Sequence, residues 1–181
     1  LHAGQIQGFF NVPVDELSAL PLFVRYLRQQ ELADPVLVAV DIGISKKARN
    51  FAERLGVPLA IMEKRRAGND GKSEVLNVIG DVKGKTAIAF DDEVDTAGSM
   101  VNAAQAMVQA GAREVYACAS HGVFSGPAKE RISSSPIKSL VVTDSLPQPS
   151  DWRKVHALSI APMLGEAIRR RELHPDMTSA H

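Results

Sequence analysis

The sequence TAIAFDDEVDTAGS, residues 86–99, is the most informative stretch of the chain. Its apolar first part, Thr86–Phe90, has the length of a buried strand. Two carboxylates, Asp91 and Asp92, follow, and the small polar turn Asp95–Ser99 leads into apolar residues at helical spacing. Amide groups at the start of a helix attract anions. This order of strand, acidic pair, turn and helix therefore predicts a phosphate-binding turn.

The acidic pair beside this turn indicates that the ligand also carries a sugar. Carboxylates accept hydrogen bonds from neighbouring hydroxyls, directly or through a divalent cation. We therefore expect Asp91 and Asp92 to bind a ribose, and Asp95–Ser99 to bind its 5-phosphate. The alternative is a solvated acidic turn before an ordinary helix, which predicts neither the two carboxylates nor the order Thr-Ala-Gly-Ser.

Length and composition predict one soluble domain. The 181 residues are 45% apolar and 23% charged, which is ordinary for a globular protein. Lysine plus arginine equals aspartate plus glutamate at 21 each, so charge gives no indication of nucleic acid or membrane binding. The single cysteine, Cys118, excludes an internal disulfide and fits a reducing compartment. With neither a membrane-spanning run nor a signal peptide in view, we expect a cytoplasmic protein.

Short apolar runs alternate with helical patterns along most of the chain. The predicted strands are Val36–Val40, Pro58–Met62, Thr86–Phe90, Glu114–Ala119, Leu140–Thr143 and Val155–Ile160. Strands that alternate with helices form a parallel sheet covered on both faces. The sequence thus predicts an α/β fold with a doubly wound, mostly parallel sheet flanked by helices.

In such a sheet, the loops after the strands line one crevice. Besides the sugar-phosphate loop, two loops are expected there, Asp41–Lys47 and the polar stretch Lys64–Ser73. The first offers the Asp41 carboxylate for a metal, together with backbone amides and Lys46 or Lys47 for anion charge. Taken alone it is weak, since Asp-x-Gly after a strand is common.

The second loop carries three consecutive cations, Lys64, Arg65 and Arg66, which could close over a transferring phosphate. Its glycines and the turn-prone Asn-Asp-Gly predict a mobile loop. A run of charge is usually solvated surface, so this loop alone is weaker still. The argument for a polyphosphate site rests on the joint occurrence of all three loops.

The central stretch resembles the phosphoribosyl-pyrophosphate (PRPP) motif of the type I phosphoribosyltransferase fold. Further segments make nearly the whole chain resemble the C-terminal part of a ribose-phosphate pyrophosphokinase. These segments are LHAGQIQGFF at 1–10, KRR at 64–66, IGDVKGK at 79–85, SHGVFSGPA at 120–128, VVTDSLP at 141–147 and LSIAPMLGEAIRR at 158–170. The resemblance implies transfer of the diphosphoryl group of ATP to the 1-hydroxyl of ribose 5-phosphate.

The resemblance also implies a role for individual residues. Lys64 and Arg66 would be catalytic, and His2 and Asp41 would hold Mg²⁺. The ribose 5-phosphate site would comprise Asp91, Asp92, Asp95, Thr96, Ala97, Gly98 and Ser99. The pyrophosphate loop would comprise Asp41, Ile42, Gly43 and Lys46.

The resemblance further implies a homo-oligomer, with dimers that can assemble into a hexamer, and two similar domains in each subunit. Residues 1–181 would then form a single domain, the C-terminal half of a two-domain enzyme, and the N-terminal half would be absent from this chain. Much of the ATP adenine site would come from that missing half in a neighbouring subunit.

Two departures from the family pattern affect this prediction. Ile44 stands where the pyrophosphate loop commonly has glycine, which argues against tight pyrophosphate binding unless the φ angle at this residue is negative. The tail Met177–His181 lacks the usual ending of the phosphate-activated members. Two other functions stay open, a non-catalytic PRPP synthetase-like regulatory subunit and a nucleobase phosphoribosyltransferase.

Overall fold

The computed structural model describes residues 4–67 and 73–173, with the side chains of residues 65–67 and 73–75 left out. His2 therefore lies outside the described residues. The helices are α1 (Leu20–Arg28), α2 (Ser45–Leu55), α3 (Gly98–Gln109), α4 (Ala128–Ser134) and α5 (Ala161–Leu173). Short 3₁₀ helices span Gly4–Phe9 and Ile42–Ile44. No helix in these ranges is long and apolar enough to cross a bilayer.

The strands form one mixed sheet. They are β1 (Pro35–Ala39), β2 (Leu59–Ala67), β3 (Ser73–Ile79), β4 (Thr86–Val94), β5 (Glu114–Gly122), β6 (Ile137–Thr143) and β7 (Val155–Leu158). Their order across the sheet is β3-β2-β1-β4-β5-β6-β7. All neighbours run parallel except β2 and β3. The predicted doubly wound, mostly parallel sheet is confirmed.

Each face of the sheet is covered by its own apolar layer, because alternate strand residues point to opposite faces. On one face, Val38 and Ala89 pack in a cluster with Met100 and Met107 of α3. On the other face, Phe90 packs in a cluster with residues of α1 and α2. Helical spacing predicts that Ala48, Phe51, Ala52 and Leu55 form the core face of α2. The first three are buried, and Leu55 is partly buried against the same cluster.

The topology places a crevice between β1 and β4. These two strands are hydrogen-bonded neighbours. The chain after β1 continues into α2 on one face, and the chain after β4 continues into α3 on the other. Loops that leave neighbouring strands in opposite directions open a cleft at their carboxyl ends. The first and third predicted loops both begin at this cleft.

Two strands are longer than the sequence pattern indicates. β4 continues through Asp91 and Asp92 to Val94, so the acidic pair lies on the strand and not in a loop. β2 continues to Ala67 and pairs with β3 as an antiparallel hairpin. The prediction that 64–67 are loop is therefore wrong, because cross-strand hydrogen bonds stabilise polar residues in an edge hairpin. The remainder of that predicted loop, 68–72, lies outside the described residues.

Candidate functional site

A cavity of about 290 Å³ lies at the carboxyl ends of β1 and β4. Its walls come from three separate parts of the chain. They are Val40 and Asp41 after β1, Lys64 of β2, and residues 91–100 from the end of β4 into α3. The structure therefore brings together residues of all three loops that the sequence predicted to meet.

The turn between β4 and α3 has an unusual backbone conformation. Ala97 adopts the left-handed region, with φ 62° and ψ 6°, immediately before α3 begins at Gly98. This conformation costs about 1–2 kcal/mol for a residue with a Cβ atom. The first amides of a helix have no partner within the helix, and a left-handed residue beside them forms a concave anion-binding surface. The geometry of 97–99 thus suits a phosphate group.

The neighbouring segment after β5 braces this turn. The Ser125 amide donates to the Asp95 carbonyl at 3.1 Å, and the Ser125 hydroxyl donates to Oδ1 of Asp95. Arg131 of α4 donates from Nη1 to the Thr96 carbonyl at 3.0 Å. Pattern reasoning gave no role to Ser125 or Arg131. One feature of the sequence could have indicated Ser125: this residue follows a strand that ends at the same edge of the sheet.

The acidic pair has two different environments. Burial raises the pKa of Asp91 to about 6, even though its Oδ1 accepts a hydrogen bond from the Asp92 amide at 2.9 Å. Asp92 instead lies 3.3 Å from the Lys47 ammonium. Asp91 therefore takes up a proton at mildly acidic pH, because burial disfavours its charged form.

The turn after β1 is organised by Asp41. Its Oδ1 accepts a hydrogen bond from the Gly43 amide at 2.8 Å, and its Oδ2 lies 3.2 Å from the Lys64 ammonium. The Gly43 amide, followed by Lys64, holds the pKa of Asp41 below its usual range. Asp41 therefore stays ionised and links the first predicted loop to the second.

Ile44 does not obstruct this turn. Its φ is −90° and its ψ is 0°, a conformation open to any residue. Its side chain is only 6% exposed and packs in the core beside Phe23, Ala48 and Phe51. The condition under which isoleucine is acceptable in place of glycine is thus met.

The remaining predicted residues lie at or beyond the border of the cavity. Ile42 and Gly43 are exposed on the turn next to Asp41, and Lys46 is exposed in the first turn of α2. The adjacent Lys47 is the lysine that contacts Asp92. The backbone of Arg66 lies on β2 opposite Glu74, while its side chain is not among those described.

The described residues supply carboxylates to the cavity without forming a complete metal cage. Within 4–67 and 73–173, no group of three or more His, Cys, Asp or Glu side chains is arranged to hold a metal ion. Hard oxygen donors such as Asp41 suit Mg²⁺, which typically binds one or two carboxylates together with substrate phosphates and water. The donor set thus fits a metal that arrives with a phosphorylated substrate.

The doubly wound sheet and the turn 95–99 at its switch point place the protein in the class with the type I phosphoribosyltransferase fold. Within that class, the model of the phosphoribosyl synthetase-associated domain matches residues 67–179. The chain belongs to this family.

Individual relatives agree with that assignment. The chain is 51% identical to a ribose-phosphate pyrophosphokinase of Caldanaerobacter subterraneus subsp. tengcongensis, over 98% of this chain and 56% of the relative. The crystal structure of phosphoribosylpyrophosphate synthetase from Mycobacterium smegmatis superposes with a TM-score of 0.85 at 38% identity, over 96% of this chain and 57% of that one. The chain thus spans somewhat more than half the length of these relatives.

A more distant structure shares the fold alone. The APRTase from Giardia lamblia, solved with 9-deazaadenine, matches with a TM-score of 0.54 at 14% identity. That match covers 68% of this chain and 75% of the other.

Proposed function

We propose that this chain is part of an enzyme that transfers the diphosphoryl group of ATP to the 1-hydroxyl of ribose 5-phosphate, giving PRPP and AMP. The observation that carries the proposal is the shared cavity, in which Lys64 and Asp41 face the acidic end of β4 and the turn Asp95–Ser99. Sequence identity of about half to ribose-phosphate pyrophosphokinases supports it.

Ribose 5-phosphate is bound by the stretch from Asp91 to Ser99. The amides of 97–99 and the Thr96 and Ser99 hydroxyls receive the 5-phosphate, since donors beside a helix N-terminus favour an anion. The Asp91 and Asp92 carboxylates accept hydrogen bonds from the sugar hydroxyls. Asp95 keeps the turn in place through its contacts with Ser125.

The transfer step needs charge neutralisation more than a protein nucleophile. The 1-hydroxyl oxygen of the sugar forms a bond to the β-phosphorus of ATP, the bond from that phosphorus to the α,β-bridging oxygen breaks, and AMP leaves. The hydroxyl proton passes to solvent. Lys64 and Arg66 are the cations that stabilise the charge on the transferring group.

The diphosphoryl group is also bound by the pyrophosphate loop. This loop comprises Asp41, Ile42, Gly43 and Lys46. His2 and Asp41 are the proposed protein ligands of Mg²⁺. The ion supplies positive charge at the phosphate oxygens when it is bound. The low pKa of Asp41 supports this assignment, because a metal ligand must be deprotonated.

The proposal extends to how the domain is used. Residues 1–181 act as the C-terminal half of a two-domain, cytoplasmic enzyme that works as a homo-oligomer of dimers or hexamers, with ATP and ribose 5-phosphate as its ligands. The support is the match to somewhat more than half the length of the relatives. Adenine contacts then come largely from outside this chain.

Two parallel assays on the full-length protein test the proposal. One measures PRPP formed from ATP, Mg²⁺ and ribose 5-phosphate, and the other measures nucleotide formed from PRPP and a nucleobase. We expect activity in the first assay alone. Activity in the second alone indicates a nucleobase phosphoribosyltransferase. Tight ribose 5-phosphate binding with no product in either indicates a regulatory subunit.

A further inference from the structure

The turn proposed to bind the phosphate, residues 95–99, is stabilised by hydrogen bonds from one continuous segment, residues 123–131. The carbonyl of Val94 accepts hydrogen bonds from the amides of Val123 and Phe124, at 3.0 and 3.1 Å. The Asp95 carbonyl accepts one from the Ser125 amide at 3.1 Å. The Thr96 carbonyl accepts a hydrogen bond from Arg131. Three successive carbonyls, those of residues 94–96, thus point toward residues 123–131.

The third contact differs from the other two because a side chain makes it. It also acts on the peptide between Thr96 and Ala97, where the left-handed conformation begins. Strained backbone of this kind persists only where the surrounding structure enforces it. The Arg131 guanidinium fixes the direction of this carbonyl, and the amide of the same peptide then points the opposite way, because the peptide group is planar.

The location of the guanidinium has an electrostatic consequence. Its Nη1 lies 3.3 Å from where a Cβ atom of Gly98 would be, at the first residue of α3. A cation beside a helix N-terminus is unfavourable in the free protein, since the helix dipole is positive there. A bound phosphate dianion adds an attraction to the guanidinium at the same place, so Arg131 gains favourable interactions when the ligand arrives.

We propose that Arg131 is a positioning residue for the sugar phosphate: it sets the Thr96–Ala97 peptide and supplies positive charge behind the turn without contacting the substrate. The inference rests on the proposed function, because it assumes that ribose 5-phosphate binds to residues 95–99. It predicts an effect confined to the phosphorylated sugar.

Arg113 provides a matched control. Its Nη2 donates to the Ala33 carbonyl at 2.9 Å and to Oγ1 of Thr86 at 3.0 Å. It is therefore another arginine that holds backbone and hydroxyl oxygens, but at the amino end of β4, opposite the cavity. Arg113→Met removes a comparable structural contact at the amino end of β4 and does not affect the contacts of the turn 95–99.

The experiment measures ribose 5-phosphate affinity by calorimetry, and KM and kcat, for the full-length protein and the variants Arg131→Met, Arg131→Lys and Arg113→Met. We expect Arg131→Met to weaken ribose 5-phosphate binding about tenfold to a hundredfold, with KM for ATP within about twofold. Arg131→Lys keeps the charge and should recover part of the affinity. Arg113→Met should lower the melting temperature and leave the sugar-phosphate affinity unchanged.

Equal sugar-phosphate affinity in Arg131→Met and Arg113→Met would overturn the inference, and so would a parallel rise in KM for ATP. If Arg131→Met does not fold, Arg131→Lys decides: affinity equal to that of the unmodified protein, with no change in KM, would show that the geometry of the guanidinium is irrelevant. If the unmodified protein itself binds no ribose 5-phosphate, the proposed function fails.

Discussion

The Lys64 ammonium lies 3.2 Å from Oδ2 of Asp41. This ion pair joins the hairpin arm β2 to the turn after β1, and both residues line the cavity next to the phosphate turn. A cation is therefore present in the site before any substrate binds. We expect an incoming diphosphate or metal ion to compete with this pair, because each partner also attracts a ligand of opposite charge.

Replacing Lys64 tests whether that cation acts in the transition state. We expect Lys64→Met to lower kcat by about 100-fold or more, with a much smaller change in KM for either substrate, because a cation that meets the diphosphoryl group mainly in the transition state acts on kcat. Arg66→Ala should act in the same way. Arg65→Ala serves as the control and should have a mild effect. Steady-state kinetics in which KM rises and kcat is unchanged would mean that the cations only bind substrate.

Thr96→Val tests the phosphate turn. The hydroxyl is lost while the shape is retained, so ribose 5-phosphate binding should weaken by about 1–3 kcal/mol, as for a lost hydrogen bond to a charged group. Titration calorimetry measures this change, and ATP binding should remain the same.

The control is Thr86→Val at the opposite end of β4. The Thr86 hydroxyl is buried and donates to the Ala33 carbonyl at 2.8 Å. This variant should lose stability but keep its sugar-phosphate affinity. Equal affinity losses in the two variants would point to a general weakening of the strand and count against the assignment of Thr96.

Asp91 should make stability depend on pH in an unusual direction. Its pKa is about 6 in the folded protein, above the ordinary aspartate value of 3.8, so the folded state binds more protons between these values. Stability from this group therefore falls as the pH rises from about 4 to 6. The neutral side chain of Asp91→Asn does not lose stability in this way. At pH 7 its free energy of unfolding should exceed that of the unmodified protein by on the order of 1–3 kcal/mol, and at pH 4 the two values should be nearly equal.

Urea unfolding at several pH values measures the difference between the two proteins, and Asp144→Asn is the control with the opposite sign. The Ile160 amide, 2.8 Å away, holds the pKa of Asp144 below its usual range. Loss of that carboxylate should reduce stability at pH 7, and the difference should shrink as the pH falls. If the two substitutions changed the free energy of unfolding at pH 7 in the same direction, the result would be inconsistent with a desolvated Asp91.

Ile44 should matter for stability and not for pyrophosphate binding. Its side chain is in the core, so Ile44→Gly should cost about 2–5 kcal/mol of unfolding free energy. KM for ATP should not improve, although glycine restores the common family residue. Ile42, 67% exposed on the same turn, is the control, and Ile42→Gly should cost far less. A lower KM in Ile44→Gly would show that the isoleucine does obstruct the loop.

Local patterns were sufficient to predict the sheet and the core faces of its helices. The spacing of Ala48, Phe51, Ala52 and Leu55 predicts the buried face of α2. Gly111, with φ 90°, follows the end of α3 in the left-handed region that glycine favours. These features depend on neighbouring residues, so they are visible in a short window of sequence. The order of the three loops around the cavity followed from the topology rule for such sheets.

Features that depend on distant partners could not be predicted in this way. The length of β2 depends on the register of its hairpin with β3, for example Lys64 opposite Leu76. The contacts of Ser125 with Asp95 and of Arg131 with Thr96 span 30 and 35 positions. That Lys47, and not Lys46, contacts Asp92 depends on the exact rotation of α2, which periodicity gives only approximately.

The most direct test of the central claim follows the β-phosphorus of ATP through the reaction. The full-length protein is incubated with ribose 5-phosphate, Mg²⁺ and ATP labelled at the β-phosphorus, and the products are separated and counted. The account predicts that the label moves into PRPP in step with the formation of AMP, and that both require ribose 5-phosphate and fall together in Lys64→Met. Label that remains in ADP, with transfer of the γ-phosphoryl group alone, would contradict diphosphoryl transfer at this site.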